Sequence, residues 1–165
     1  MFDVCKNIYE AVWYVLDNAI ALNYFKIKQR SLNRRGVEIT SPTMYPWLFL
    51  GVPTETPVEI LRMPRNWTQE IRIPIVYMTF ADRMEMSDLI YSTAINQNKG
   101  IGDIKRDIQQ VLWQYKTGGF GVQGVRDWIF GRSGTPDVLY IQDLLMSGLV
   151  MGGQTDIVFQ TSDPG

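Results

Sequence analysis

The residues best placed to do chemistry are carboxylates, and the pair that stands out is Asp103 and Asp107. At i, i+4 spacing on a helix they share one face, and two carboxylates so placed could hold Mg²⁺. Lys105 and Arg106 are interleaved with them, so a capping residue and a solvated face is the simpler reading. The pairs Asp82 and Glu85, and Asp137 and Asp143, are scattered. There is no histidine, which removes the commonest general base and transition-metal ligand. Cys5 is the single cysteine, so neither an intrachain disulfide nor a cysteine-rich metal site can form. It lies in a helix-like stretch and reads as a buried structural thiol. Gly119-Phe120-Gly121-Val122-Gln123-Gly124 matches the spacing of a dinucleotide-binding loop. It follows a helix instead of opening one, and is read as glycines within a strand. There is no phosphate loop ending in Lys-Ser or Lys-Thr and no Gly-x-Ser-x-Gly elbow. No catalytic residue, metal site or cofactor is expected.

The totals point the same way. The chain has 165 residues, 45% hydrophobic and 20% charged, which suits one domain, 1–165, with a real core. A net charge of −1 supplies no basic excess for tight binding to nucleic acid. The start, Met1 to Lys6, lacks the basic-then-apolar order of a secretory leader, and no apolar run is long enough to span a membrane. The expectation is a soluble protein made in a reducing cytoplasm.

Two elements dominate the pattern. Glu70–Phe80 reads as a strand, with Ile71, Ile73, Ile75 and Tyr77 on one face. Its other face starts with Arg72 and Pro74 and turns apolar with Val76, Met78 and Phe80. Asp103–Tyr115 reads as a helix with Ile104, Ile108, Val111, Leu112 and Tyr115 on one stripe. Between them 81–100 is a long loop, with a short helix over Ser87–Ile95 capped by Ser87. Pro74 donates no ladder hydrogen bond, so it marks either an edge strand open to another chain or a bulge in a monomer's sheet.

The remaining elements follow in order. Phe2 to Leu22 is a first helix, with Asp3 as its cap. The basic stretch Lys26–Arg35 reads as a solvated helix end and loop whose cations complement the helix dipole. Gly36–Met44 is loop, and Tyr45–Leu50 an apolar strand. Val52–Pro57 is a polar connection, and Val58–Met63 pairs with the long strand in an antiparallel hairpin. Gly118-Gly119 stops the second helix. Phe120–Arg132 resumes strand character. Asp137–Met151 is open between a helix begun at Thr135-Pro136-Asp137 and a hairpin arm. Gly152-Gly153 turns the chain into a last strand, Asp156–Thr161, and 162–165 is a frayed tail. The fold class is α+β: a mostly antiparallel β-sheet packed by an N-terminal helix and a central helix. Five Trp, eight Tyr and seven Phe are many large rings for one small domain, and such rings are enriched at interfaces.

This order of elements resembles the tail-terminator (tail-completion, head–tail joining) proteins of tailed bacteriophages. The likeness rests on the architecture and on two segments, Glu70-Ile71-Arg72-Ile73-Pro74-Ile75-Val76-Tyr77-Met78 and Ile101-Gly102-Asp103-Ile104-Lys105-Arg106-Asp107-Ile108. It implies a structural virion protein of the tail or neck, not an enzyme. Such a protein forms a homo-oligomer, a hexameric ring, at the head-proximal end of the tail tube. It stops tube polymerisation, meets the tail-tube protein and a neck or head-completion protein, and lets DNA pass without reading its sequence. The expected subunit and tube contacts are Arg72, Pro74, Val76, Met78, Phe80, Arg83, Met84 and Met86. The alternatives are a head-completion adaptor or tail-tube subunit, and more remotely a small carboxylate-dependent enzyme.

Overall fold

The computed structural model describes residues 3–30, 46–58, 68–81, 100–131, 138–144 and 148–162. The expected Gly36–Met44 loop, Val58–Met63 strand, 81–100 loop with its 87–95 helix, and 162–165 tail lie outside them, apart from single boundary residues. Among the described residues the fold is α+β, a mixed seven-stranded sheet with two α-helices.

Helix α1 spans Val4–Asn18, and its Asp3 cap accepts a hydrogen bond from Lys6 N at 3.0 Å. The chain then tightens into a 3₁₀ turn at Ile20–Leu22, so the single helix expected to Leu22 breaks at Ala19, which is extended. The strands are β1 (Ile27–Arg30), β2 (Trp47–Leu50), β3 (Thr54–Val58) and β4 (Thr68–Ala81). Helix α2 (Ile101–Trp113) follows, then β5 (Val125–Phe130), β6 (Val138–Leu144) and β7 (Gly148–Ser162). The sheet order is β1-β2-β4-β7-β5, with β3 also on β4 and β6 also on β7. Every pairing is antiparallel except β1 with β2, which is parallel.

The centre is a ribbon of β4 and β7, paired without a break from Thr68↔Ser162 to Ala81↔Leu149. Each outer edge of the ribbon carries two short strands end to end. Along β4 these are β3, opposite Thr68 to Arg72, and β2, opposite Ile75 to Met78. Along β7 they are β6 and β5.

Three expectations are corrected here. Pro74 is neither at an open edge nor in a bulge, because β4 is the interior strand. Its carbonyl accepts from Gly51 N at 2.8 Å. The N and C=O of one residue point to the same side of a strand, so its missing N–H falls in the gap between β2 and β3 and no ladder bond to β7 is lost. A strand forms over Thr54–Val58, most of it within Val52–Pro57, the stretch expected to be a connection; among the described residues it pairs with β4 alone, and an outer strand tolerates Pro57. Gly152 and Gly153 do not turn the chain. They lie within β7, opposite Met78 and Tyr77, and the described part of 137–151 is strand, Val138–Leu144 pairing antiparallel with β7, and not helix.

The core follows the expected alternation. Ile71, Ile73, Ile75 and Tyr77 of β4, Leu48 and Leu50 of β2, and Ile157 and Phe159 of β7 are fully buried. Ile8, Val12 and Leu16 of α1 and Ile104, Ile108 and Leu112 of α2 close over them. Each such side chain contributes roughly 1.5–3 kcal/mol. Tyr115, expected on the α2 stripe, lies beyond the helix end and is 40% exposed.

The glycine motif is a left-handed turn, not part of a strand. Gly118, Gly119, Phe120 and Gly121 have φ of 89, 54, 59 and 71°. At Phe120 this conformation costs about 1–2 kcal/mol. The ring offsets that by packing on Tyr115, Trp128 and Phe159, with centroids at 5.3, 5.4 and 5.7 Å. No helix among the described residues is long and apolar enough to cross a membrane.

Candidate assembly interface

Of the candidate acids, Asp103 and Asp107 are described, whereas Asp82, Glu85 and Asp137 lie outside the described residues. The Asp103 carboxylate accepts from Arg106 at 2.9 Å, and Asp107 accepts from the Tyr24 hydroxyl at 3.0 Å. The helix cap is Gly100, and Asp103 sits in the first turn. Burial and the Asp107 carboxylate push the Tyr24 hydroxyl far above its ordinary range, so it stays a donor. No group of three or more His, Cys, Asp or Glu that could hold a metal ion occurs among the described residues.

Cys5 is equally quiet. Burial, with Glu55 beside it, pushes its thiol up from 9.0 to about 12. The folded protein therefore keeps the neutral thiol, whereas the unfolded chain ionises near 9.0. The stability this confers is complete below pH 9.0 and is lost as pH rises towards 12. At pH 8 a thiol reagent is expected to label the native protein at least ~10-fold more slowly than the urea-unfolded chain, because the thiolate is the nucleophile. Equal rates would contradict a shielded thiol.

The basic stretch is structural where it is described. Lys28 and Arg30 point from β1 towards α1. Lys28 Nζ donates to the carbonyls of Leu16 and Asp17 at 2.9 and 3.1 Å, so one cation closes the C-terminal end of the helix. Burial lowers its pKa, with Asp17 opposing. Arg30 makes an ion pair with Glu10 at 2.8 Å and lies over the Trp13 ring.

The opposite face of the sheet carries a different surface. Residues paired across the ladders share a face, so Arg72, Pro74, Val76, Met78 and Phe80 all point away from α1 and α2. Trp47 and Phe49 lie opposite Met78 and Val76 in the same layer. Sequence reasoning missed these two rings as part of the surface, although their alternation with Leu48 and Leu50 signals it. Val158 and Ile129, opposite each other on β7 and β5, extend the layer, and Ile129 is 51% exposed. Phe80 is 2% exposed, so this end of the ribbon is covered on both faces. Arg83, Met84 and Met86 lie outside the described residues.

A charged strip crosses the same face. Arg72 bridges Asp156 at 2.9 Å and Glu70 at 3.6 Å, and Gln154 donates to Asp156 at 2.7 Å. Glu70, Arg72, Asp127, Ile129 and Val158 help to line a shallow groove of about 290 Å³. Two polar atoms buried without a hydrogen-bond partner, Gln29 Oε1 and Trp47 Nε1, sit near the β1 border.

The other border is set by an aromatic cluster. Trp128 is 1% exposed and packs on Trp113, Phe120, Phe130 and Phe159. Its indole donates to Tyr115 O at 3.1 Å. Lys116 Nζ lies over the Trp113 and Trp128 rings, donates to the Trp128 carbonyl, and pairs with Asp127 at 2.8 Å. This contact, with help from the Trp128 backbone, holds the Asp127 carboxyl below the usual range. The face thus combines half-buried apolar side chains, a paired charge strip and two strand borders. Compared with known proteins, the chain matches no family model and no curated protein.

Proposed function

We propose that the protein is a structural component of a phage virion, a ring-forming tail terminator that joins the tail tube to the neck. The observation that carries this reading is the two-sided apolar sheet. Both described helices cover one face, while Trp47, Phe49, Val76, Met78 and Ile129 form an apolar layer on the other. A surface rimmed by charge and apolar at its centre is what a protein partner uses. A ring also needs two different patches that meet head to tail and close. Among the described residues the sheet order runs from β1 at one border to β5 at the other, two different strands. Near-neutral net charge suits a ring through which DNA slides without being held. The reading carries no catalytic step.

Size-exclusion chromatography with light scattering, and negative-stain imaging with and without tail tube, test it. Closed rings, alone or seated on tube ends, are expected. Val76→Asp, placing a charge in the apolar layer, is expected to abolish them while the far-ultraviolet circular dichroism stays unchanged. A wild-type protein that remains monomeric at high concentration and ignores the tube would end this reading. Binding along the tube, or at the head without it, would favour a tube subunit or a head-completion adaptor.

A further inference from the structure

We infer that neighbouring copies join by antiparallel pairing of β5 in one copy with β1 in the next, and that the Lys116–Asp127 ion pair guards the β5 edge until they do. The inference rests on the ring reading above and names its seam.

The polarity of the sheet decides which strands can meet. β1 and β2 run together, β4 runs against them, β7 against β4, and β5 against β7. β5 is therefore antiparallel to β1. A rotation that carries one copy onto the next as a continuation of the sheet keeps each strand's direction. It places β1 of the neighbour beside β5 in the antiparallel sense, the better of the two ladders. If the helix-covered faces are to stay continuous, Ile27 and Gln29 of β1 come opposite Ile129 and Asp127 of β5. Half-exposed Ile129 then gains an apolar partner, and an amide meets a carboxylate.

The backbone of β5 is oriented for this. Gly131 N donates to Asp156 O of β7 at 2.6 Å. Strand residues alternate, so Phe130 and Trp128 turn their backbone groups away from β7, towards the side that no described strand occupies. The Trp128 carbonyl on that side is the one that Lys116 Nζ takes, and Asp127 holds Lys116 there. A lysine laid along a strand edge is a device that blocks unwanted strand addition. This one is reversible, because Asp127 is 56% exposed and Lys116 can swing into solvent. On β1 the two cations, Lys28 and Arg30, are tied to α1 instead of to the strand edge.

The test uses the full chain with Cys5→Ser. Ile27→Cys and Ile129→Cys together are expected to give a ladder of disulfide-linked oligomers on mild oxidation under ring-forming conditions, and neither alone to give more than dimers. Rings seen by microscopy without a ladder would overturn this seam and leave the ring reading standing. Neither rings nor ladder, with tube present, would remove both. For the guard, Lys116→Met is expected to tighten self-association at least ~10-fold by sedimentation, since the edge charge is gone. Asp127→Asn should act in the same direction, and decides the matter if Lys116→Met fails to fold. Unchanged or weaker association in a folded variant would overturn the guard.

Discussion

Trp128→Ala is expected to lower the unfolding free energy by about 3–5 kcal/mol, the usual cost of truncating a fully buried aromatic residue. The indole is 1% exposed and is the hub against which Trp113, Phe120, Phe130 and Phe159 pack. Its loss also removes the hydrogen bond to Tyr115 O and one of the rings beneath Lys116. Those two contacts tie the end of α2 to β5, so the variant should loosen this border before the ribbon fails. Trp113→Ala is the control: that ring is 55% exposed, and its removal is expected to cost only about 1 kcal/mol, the worth of its ring contacts. Urea denaturation of both variants checks the pair. A Trp128→Ala loss no larger than that of Trp113→Ala would show that the cluster does not anchor the edge.

The second large effect lies in the left-handed turn. A β-carbon on Gly119 would stand 2.6 Å from Val125 Cγ1 and 2.9 Å from Val125 Cβ, with φ at +54°. Gly119→Ala therefore combines a conformational cost of about 1–2 kcal/mol with an overpacking cost of about 1–3 kcal/mol. A loss of about 2–5 kcal/mol in denaturant unfolding is expected from those two terms together. A β-carbon on Gly118, at φ +89°, would meet nothing within 4 Å, so Gly118→Ala should show the conformational cost alone, about 1–2 kcal/mol. Equal losses in the two variants would mean that Val125 moves aside freely.

What the sequence revealed follows the strength of each local signal. Ile71, Ile73, Ile75 and Tyr77 alternate because every second residue of β4 faces the helices, and the α2 stripe is equally clear since one side of that helix is buried. β1 was hidden because its core-facing positions are Lys28 and Arg30, which serve α1 by charge instead of apolar burial. β3 was hidden because a polar strand holding Pro57 survives only as an outer strand, a tertiary fact. Gly152-Gly153 looks like a turn, yet both glycines lie within β7, Gly153 opposite Tyr77. The Tyr77 hydroxyl shares a hydrogen bond with Thr155 Oγ1 at 3.1 Å.

The candidate surface was legible in part. Arg72, Val76 and Met78 do share one face, as the period of the strand requires, but Pro74 lies in the interior of the sheet instead of marking an open edge. The borders that could meet another copy belong to β1 and β5, whose position depends on pairings between distant segments. The Lys116–Asp127 contact has no local signature, since it depends on the chain turning back at Gly118–Gly121.

The central ribbon has a consequence for how the molecule comes into being. Its two members, Thr68–Ala81 and Gly148–Ser162, are far apart in the chain, and no hairpin links them directly. The ribbon cannot zip from a local nucleus, and the loop-closure entropy must be met before its ladder repays it. During synthesis β4 leaves the ribosome long before β7, with its apolar residues lacking their mate. Refolding should accordingly be slow, and the waiting strand is the part of the nascent polypeptide most in need of a chaperone.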